Sequence, residues 1–316
     1  NRGTWSSRVS FIGNWSYPLC SLIAMGLTPL ISAEWNWRVQ LLIPAILSLI
    51  ATALAWRYFP ESPRWLESRG RYQEAEKVMR SIEEGVIRQT GKPLPPVVIA
   101  DDGKAPQAVP YSALLTGVLL KRVILGSCVL IAMNVVQYTL INWLPTIFMT
   151  QGINLKDSIV LNTMSMFGAP FGIFIAMLVM DKIPRKTMGV GLLILIAVLG
   201  YIYSLQTSML LITLIGFFLI TFVYMYVCYA SAVYVPEIWP TEAKLRGSGL
   251  ANAVGRISGI AAPYAVAVLL SSYGVTGVFI LLGAVSIIVA IAIATIGIET
   301  KGVSVESLSI DAVANK

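Results

Sequence analysis

Eight predominantly apolar runs, each about long enough to cross a bilayer as a helix, fill most of this chain: Val9–Ser32, Trp37–Tyr58, Leu119–Thr150, Ser158–Met180, Thr187–Leu205, Met209–Val235, Gly247–Ser272 and Val275–Ile298. A hydrocarbon core of about 30 Å needs about 20 helical residues. The runs lack period-two alternation and are too long for barrel strands, so helices are expected. The expected fold is therefore an all-α membrane protein with eight transmembrane helices. Composition agrees with it: 56% of the residues are hydrophobic and 12% are charged. That is too thin a polar shell for a water-soluble domain of this length.

The net charge of +7 is distributed by position. Of the 23 Lys and Arg residues, 20 fall in connections or run ends that a single topology puts on one side; Arg38 and Lys156 lie on the other, and Arg256 lies deep inside a run. This is the positive-inside bias rather than a nucleic-acid footprint. It assigns a multi-pass protein of the cell (inner) membrane with both termini in the cytoplasm. Four regions follow: residues 1–58, the last two helices of an N-terminal bundle; 59–117, a cytoplasmic linker; 118–300, a six-helix C-terminal bundle; and 301–316, a cytoplasmic tail. Within the linker, Arg71–Glu84 reads as an amphipathic helix with Tyr72, Ala75, Val78, Met79 and Ile82 on one side. Pro93, Pro95, Pro96, Pro106 and Pro110 then extend the chain.

Two helices precede this linker and six follow it. Arg2-Gly3 stands before the first run as Arg246-Gly247 stands before the seventh, and each is followed by two runs and a short charged sequence. The repeat implies six-helix halves, with the start of the chain internal to the first. Cys20, Cys128 and Cys228 all sit in apolar runs and there is no histidine. No metal, cofactor or disulfide framework is expected. No nucleophile–base set or phosphate-binding loop appears either, so an enzyme is not expected.

Three motifs carry a resemblance. Pro60-Glu61-Ser62-Pro63-Arg64-Trp65-Leu66, the stretch YVPEIWPTEAKLRGSG over 234–249, and Glu299-Thr300-Lys301-Gly302 stand in this order with six spans between the first and the last. They resemble the signatures after the sixth, tenth and twelfth helices of sugar-porter and organic-ion members of the major facilitator superfamily. The chain would then cover helices five to twelve. Asp181-Lys182-Ile183-Pro184-Arg185-Lys186 is similar to that family's D-R-x-G-R-R turn, with Pro184 where the family usually has glycine. The finer similarity is to bacterial carriers of aromatic acids, including nicotinate-type carriers. The resemblance implies alternating access, with Glu61, Arg64, Asp181, Arg185, Glu237 and Arg246 as candidate gating latches that break and reform between states.

Arg256 is the most informative residue. A charge about ten residues into a span costs about 2.5–3.5 kcal/mol on insertion scales and must face a cavity, a partner or, by snorkelling, the interface. A guanidinium also matches a carboxylate bidentately, and the resemblance to the organic-ion branch implies anionic substrates for a basic residue here. Asn134, Tyr138 and Asn142 recur at i, i+4 and i+8 with Gln137 beside them, a stripe that lines a cavity or packs between helices. Tyr224, Tyr226 and Tyr229 lie on the sixth run, with Tyr226 and Tyr229 on one face and Tyr224 with Ser231 on another. Some of these tyrosines must simply pack.

The expected function is secondary active transport of a small organic, aromatic carboxylate. Its partners are that anion, a proton as the coupling ion and the lipid bilayer, with no nucleic acid, and the chain is expected to be a monomer. The alternatives are a broad-specificity facilitator or drug exporter, and a transport-incompetent fragment lacking four helices.

Overall fold

The structure is a computed structural model that describes residues 9–91, 93, 110–240 and 243–301; the side chains of residues 33, 64 and 68 are outside the description. All regular structure among the described residues is helical. The chain divides into two compact units, Ile31–Ala105 and the combination of Asn1–Leu30 with Pro106–Lys316.

The smaller unit holds α2 (Ala33–Tyr58), α3 (Pro63–Ser68) and α4 (Tyr72–Thr90). Apolar side chains project on every side of α2, among them Leu41, Ile46, Ile50 and Leu54, all exposed. A helix apolar all round belongs in lipid or among other helices. Pro63 opens α3 at its first turn, where no N–H is needed. Buried Leu66 and Ala75 join α3 to α4. The amphipathic helix α4 runs six residues beyond the expected Glu84, to Gly91, whose φ of 64° supplies the left-handed stop.

The larger unit is built on α6 (Gly117–Thr150), which packs along α12 (Lys244–Ile296) and also touches α7 (Leu155–Met166) and α10 (Met209–Val227). Around it, α8 (Gly168–Val179) packs on α10, α9 (Arg185–Ser204) on α10 and α12, and α1 (Ser16–Leu27) on α7. A short α5 (Tyr111–Leu114) precedes α6, and α11 (Val235–Glu237) follows a π-helical stretch, Cys228–Tyr234.

Glycines set the closest seams. A Cβ on Gly168 or Gly172 would run into the α10 backbone at Phe217 and Thr221. One on Gly255 would lie 2.9 Å from Leu130 Cβ and 3.0 Å from Asn134 Nδ2. Trp239, 1% exposed, is wedged between Gly126 and Gly247. Between membrane helices such small residues let van der Waals contact replace the missing hydrophobic drive.

Prolines mark the breaks. Pro18 cannot donate to Asn14, and the helix over residues 9–14 is interrupted at Trp15 before α1 begins. Pro170 likewise cannot donate to Met166, and α7 passes to α8 through Phe167. Asn154 caps α7, its side-chain oxygen accepting from the Asp157 N–H at 2.9 Å. Gly274, at φ 66° and ψ −162°, bends α12. That conformation is open only to glycine.

Eight spanning helices were expected; six described helices are long and apolar enough to cross a membrane, namely Glu34–Tyr58, Gly117–Thr150, Leu155–Val179, Arg185–Ser204, Met209–Glu237 and Lys244–Ile296. The difference has two local causes. The first expected run is interrupted at Trp15, and the last two meet at the non-helical Gly274 within Lys244–Ile296. The helical segments on either side of Gly274 are each about long enough for a hydrocarbon core.

Gly172→Val should separate α8 from α10 and lower the unfolding free energy in detergent by about 1–3 kcal/mol, the usual cost of overpacking. Gly191→Val, at a site with nothing within 4 Å of the added Cβ, should change it far less. Equal melting of the two variants would remove the seam.

Candidate functional site

Arg256 lies twelve residues into α12 from Lys244, about 18 Å along a helix of 1.5 Å rise. Its side chain is exposed, and Nη1 donates a 2.6 Å hydrogen bond to the Tyr138 hydroxyl on α6. None of the ion pairs among the described residues includes it. The close seam makes this bond reachable: the Gly259 position lies against the Tyr138 ring and the Gly255 position against Asn134. Asn252, one turn before Arg256, is exposed and donates to the Ser248 carbonyl at 2.9 Å. It shares a face with Arg256 at i, i+4, a spacing that would have revealed it from the sequence.

The stripe on α6 is graded. Asn134 is buried, its Nδ2 donating to Leu130 O at 2.7 Å and its Oδ1 without a partner. Gln137 and Tyr138 are half-buried and Asn142 is exposed. Gln137 approaches the hydroxyl of Tyr224, whose ring meets Tyr17 of α1 edge-on at 5.1 Å. The structure thus assembles Arg256 with Tyr138, and, beside them on α6, Gln137 with Tyr224 and Tyr17.

It does not bring Tyr226 and Tyr229 to that group. Both are buried in the bundle, with the Tyr226 hydroxyl donating to Val129 O at 3.1 Å and Tyr229 covering Gly189. The π-helical stretch carries about 4.4 residues per turn, so residues five apart approach one face. Tyr229 stacks on Tyr234 at 5.0 Å with 15° between the planes. The ladder continues from Tyr226 through Tyr234 to Ile298, whose carbonyl accepts from the Tyr234 hydroxyl and whose N–H donates back to it.

A second charged group closes one end of the bundle. Arg185 is buried, its guanidinium donating to both Glu237 oxygens at 3.1 and 3.2 Å, to Asp181 at 3.2 Å and to the Met180 carbonyl. Thr300 donates to Glu237 at 2.6 Å. Glu299 accepts from the backbone N–H groups of Arg185, Lys186 and Lys301 at 2.8, 3.2 and 3.1 Å. Pro184 takes the N-cap position before α9, with φ −56° and ψ 140°, so the turn needs no left-handed residue.

Asp181 and Arg185 pair directly, and Glu237 is held by Arg185 and Thr300. Arg246 sits over the Tyr111 ring at 5.3 Å. Glu61, in the smaller unit, is exposed and accepts from the Ser62 N–H at 3.0 Å; the Arg64 side chain is outside the described residues. Glu299 and Thr300 were read only as a signature, because their partners lie more than sixty residues away in sequence. Arg122, 3% exposed on α6, is a buried charge that sequence reasoning missed.

The sequence model of the Major Facilitator Superfamily matches residues 1–263. The chain belongs to that superfamily. Among its relatives, the inner membrane metabolite transport protein YdjE of Escherichia coli is 44% identical over 98% of this chain and 68% of its own length. The niacin transporter NiaP of Acinetobacter baylyi is 25% identical over 92% of this chain and 65% of its own. The proton:xylose symporter XylE bound to 6-bromo-6-deoxy-D-glucose shares the fold, with a TM-score of 0.63 at 22% identity over 97% of this chain and 66% of that one. XylE is from E. coli. The chain therefore spans about two thirds of the length of these proteins. As a superfamily member it is a membrane transport protein rather than an enzyme.

Burial alone would raise the Glu299 carboxyl pKa, but the three backbone N–H donors outweigh it and hold it below its ordinary value. Its folded pKa is depressed, so its contribution is full above the unfolded value near 4.5 and fades as pH falls through the folded one. Wild type should melt above Glu299→Gln at pH 7, with the gap closing as the pH drops below 4.5. A gap that stayed constant down to pH 3 would show that the carboxylate is not held this way.

Proposed function

We propose that the whole protein is a secondary active transporter of a small organic carboxylate, coupled to protons and working by alternating access in the inner membrane. The observation that carries this reading is the Arg256–Tyr138 pair, a guanidinium about 18 Å along its helix whose bond among the described residues goes to a phenol at 2.6 Å. A charge at that depth needs water or a counter-charge. Arg256 keeps donors to spare, because a guanidinium carries five N–H groups. A substrate carboxylate supplies the missing acceptors in the planar, two-point geometry that arginine favours. Tyr138 then fixes the guanidinium, and an aromatic or apolar body extends toward Gln137, Tyr17 and Tyr224. Tyr226 and Tyr229 support the site from inside the bundle rather than touching the substrate.

The topology proposed with it has eight spans corresponding to helices five to twelve, with the bend at Gly274 separating the last two and both termini cytoplasmic. Residues 59–117 are then a cytoplasmic linker between bundles. Asp181, Arg185, Glu237 and Arg246 in the larger unit, and Glu61 and Arg64 in the smaller, are the proposed cytoplasmic latch residues. A niacin transporter and a proton symporter among the similar proteins support a carboxylate cargo and proton coupling respectively. Broad-specificity efflux is the competing function.

Arg256→Met should abolish saturable uptake of labelled benzoate or nicotinate by the complete protein in vesicles while its amount in the membrane is unchanged. Tyr138→Phe should raise KM about threefold to tenfold, the loss of one hydrogen bond of about 0.5–1.5 kcal/mol. Uptake driven by an inward proton gradient separates this reading from efflux. Undiminished uptake by Arg256→Met would dismiss the anion site.

A further inference from the structure

A second cationic feature lies at the opposite end of the Leu155–Val179 span from Asp181 and Arg185. There Met25, Thr28 and Pro29 from the end of α1 face Lys156, Ile159 and Val160 of α7 around a cavity of about 280 Å³. Four of the six lining residues are apolar, and the Thr28 hydroxyl already donates to Ala24 O at 2.7 Å. Lys156 is exposed, and none of the ion pairs among the described residues includes it.

Helix formation does not account for this lysine. It occupies the first turn of α7, where the helix dipole disfavours a cation. The acid beside it, Asp157, exchanges hydrogen bonds of 2.8 and 2.9 Å with the capping Asn154. Adjacent residues on a helix do not face each other, so Asp157 is poorly placed to neutralise it. What remains is a lysine whose side chain helps to line a small apolar cavity.

We propose that this cavity is a vestibular subsite for a soluble monocarboxylate with an apolar body of about one ring, held by Lys156 before it reaches Arg256. The ammonium attracts and pairs the carboxylate, while Met25, Pro29, Ile159 and Val160 cover the ring. The volume is near the lower end of small-ligand pockets, which suits a single-ring acid rather than a bulky one. A flexible, strongly hydrated ammonium binds loosely and releases readily, unlike the planar fork of Arg256. The subsite deepens the proposed function and rests on its organic-anion reading.

The test is protection of a single thiol in the complete protein, with Cys20, Cys128 and Cys228 replaced by serine. Ile159→Cys, or Val160→Cys where the first does not fold, is labelled with a charged maleimide in phosphatidylcholine nanodiscs, with benzoate as the probe. Benzoate should protect saturably, both with Arg256 present and in Arg256→Met. Lys156→Met should raise the half-protecting concentration about tenfold, the loss of one charge-assisted contact of about 1.4 kcal/mol, and Lys156→Arg should largely restore it. In vesicles of otherwise native sequence, Lys156→Met should raise KM from its own side of the membrane and leave the maximal rate unchanged. Absent protection in folded protein, equal protection in Lys156→Met, or protection by phosphatidylglycerol in place of benzoate would each overturn the subsite, the last assigning the cavity to lipid. Loss of uptake in Arg256→Met tests the central site separately, because protection at residue 159 does not require transport.

Discussion

Hydrocarbon gives no hydrogen bonds to polar groups, and this structure answers that constraint twice for the same side chain. Arg185 is surrounded: two carboxylates and a carbonyl take its donors, and it is buried. Arg256 is held by a phenol and stays exposed. A guanidinium satisfied on every side has nothing left to offer a ligand, and removing one of its partners strands a charge. One held at a single point keeps its other donors for whatever occupies the space beside it. The two arginines therefore differ in the donors they leave free without any difference in residue type.

In the conformation described, the Arg185 group ties one end of the bundle together. Glu299 follows α12 and reaches back to the first N–H groups of α9, while Arg185 at the start of α9 reaches Glu237 after the π-helical stretch. Thr300 closes the circuit on the same carboxylate. Three chain segments far apart in sequence are thereby tied by charge-assisted bonds, stronger than neutral ones. The tyrosine ladder from Tyr226 to Tyr234 continues the tie inward, ending on Ile298 next to Glu299.

Much of the fold was legible because the lipid constraint writes itself into run length: every described spanning helix begins or ends near an apolar run read from the sequence. Arg256 and Tyr138 were each legible as side chains that lipid would not hold, but the hydrogen bond between them was not. The shared face of Tyr226 and Tyr229 was legible, and their rings lie 5.7 Å apart. The stacking of Tyr229 on Tyr234 was not, because the π-helical stretch departs from 3.6 residues per turn. The partners of Glu237 were hidden for another reason. Sequence shows a charge and its neighbours, but not that Arg185, 52 positions away, arrives at the same carboxylate.

Glycine explains why the polar group forms at the α6–α12 seam and not along some other pair of helices. At α8–α10 the glycines meet backbone and the Thr221 hydroxyl, which already donates to Phe217 O on its own helix, so close approach yields only packing. At α6–α12 they meet Asn134 and Tyr138, and the residue beside Gly255 is Arg256. A larger side chain at Gly255 or Gly259 would push the helices apart and lengthen the 2.6 Å bond from Arg256 to Tyr138 beyond hydrogen-bonding reach. The arginine would then be left at membrane depth with no acceptor, a cost of several kcal/mol or a retreat toward the interface. Close packing and a usable charge are in this sense one requirement: the seam brings the phenol close enough to hold the guanidinium while leaving its far side open.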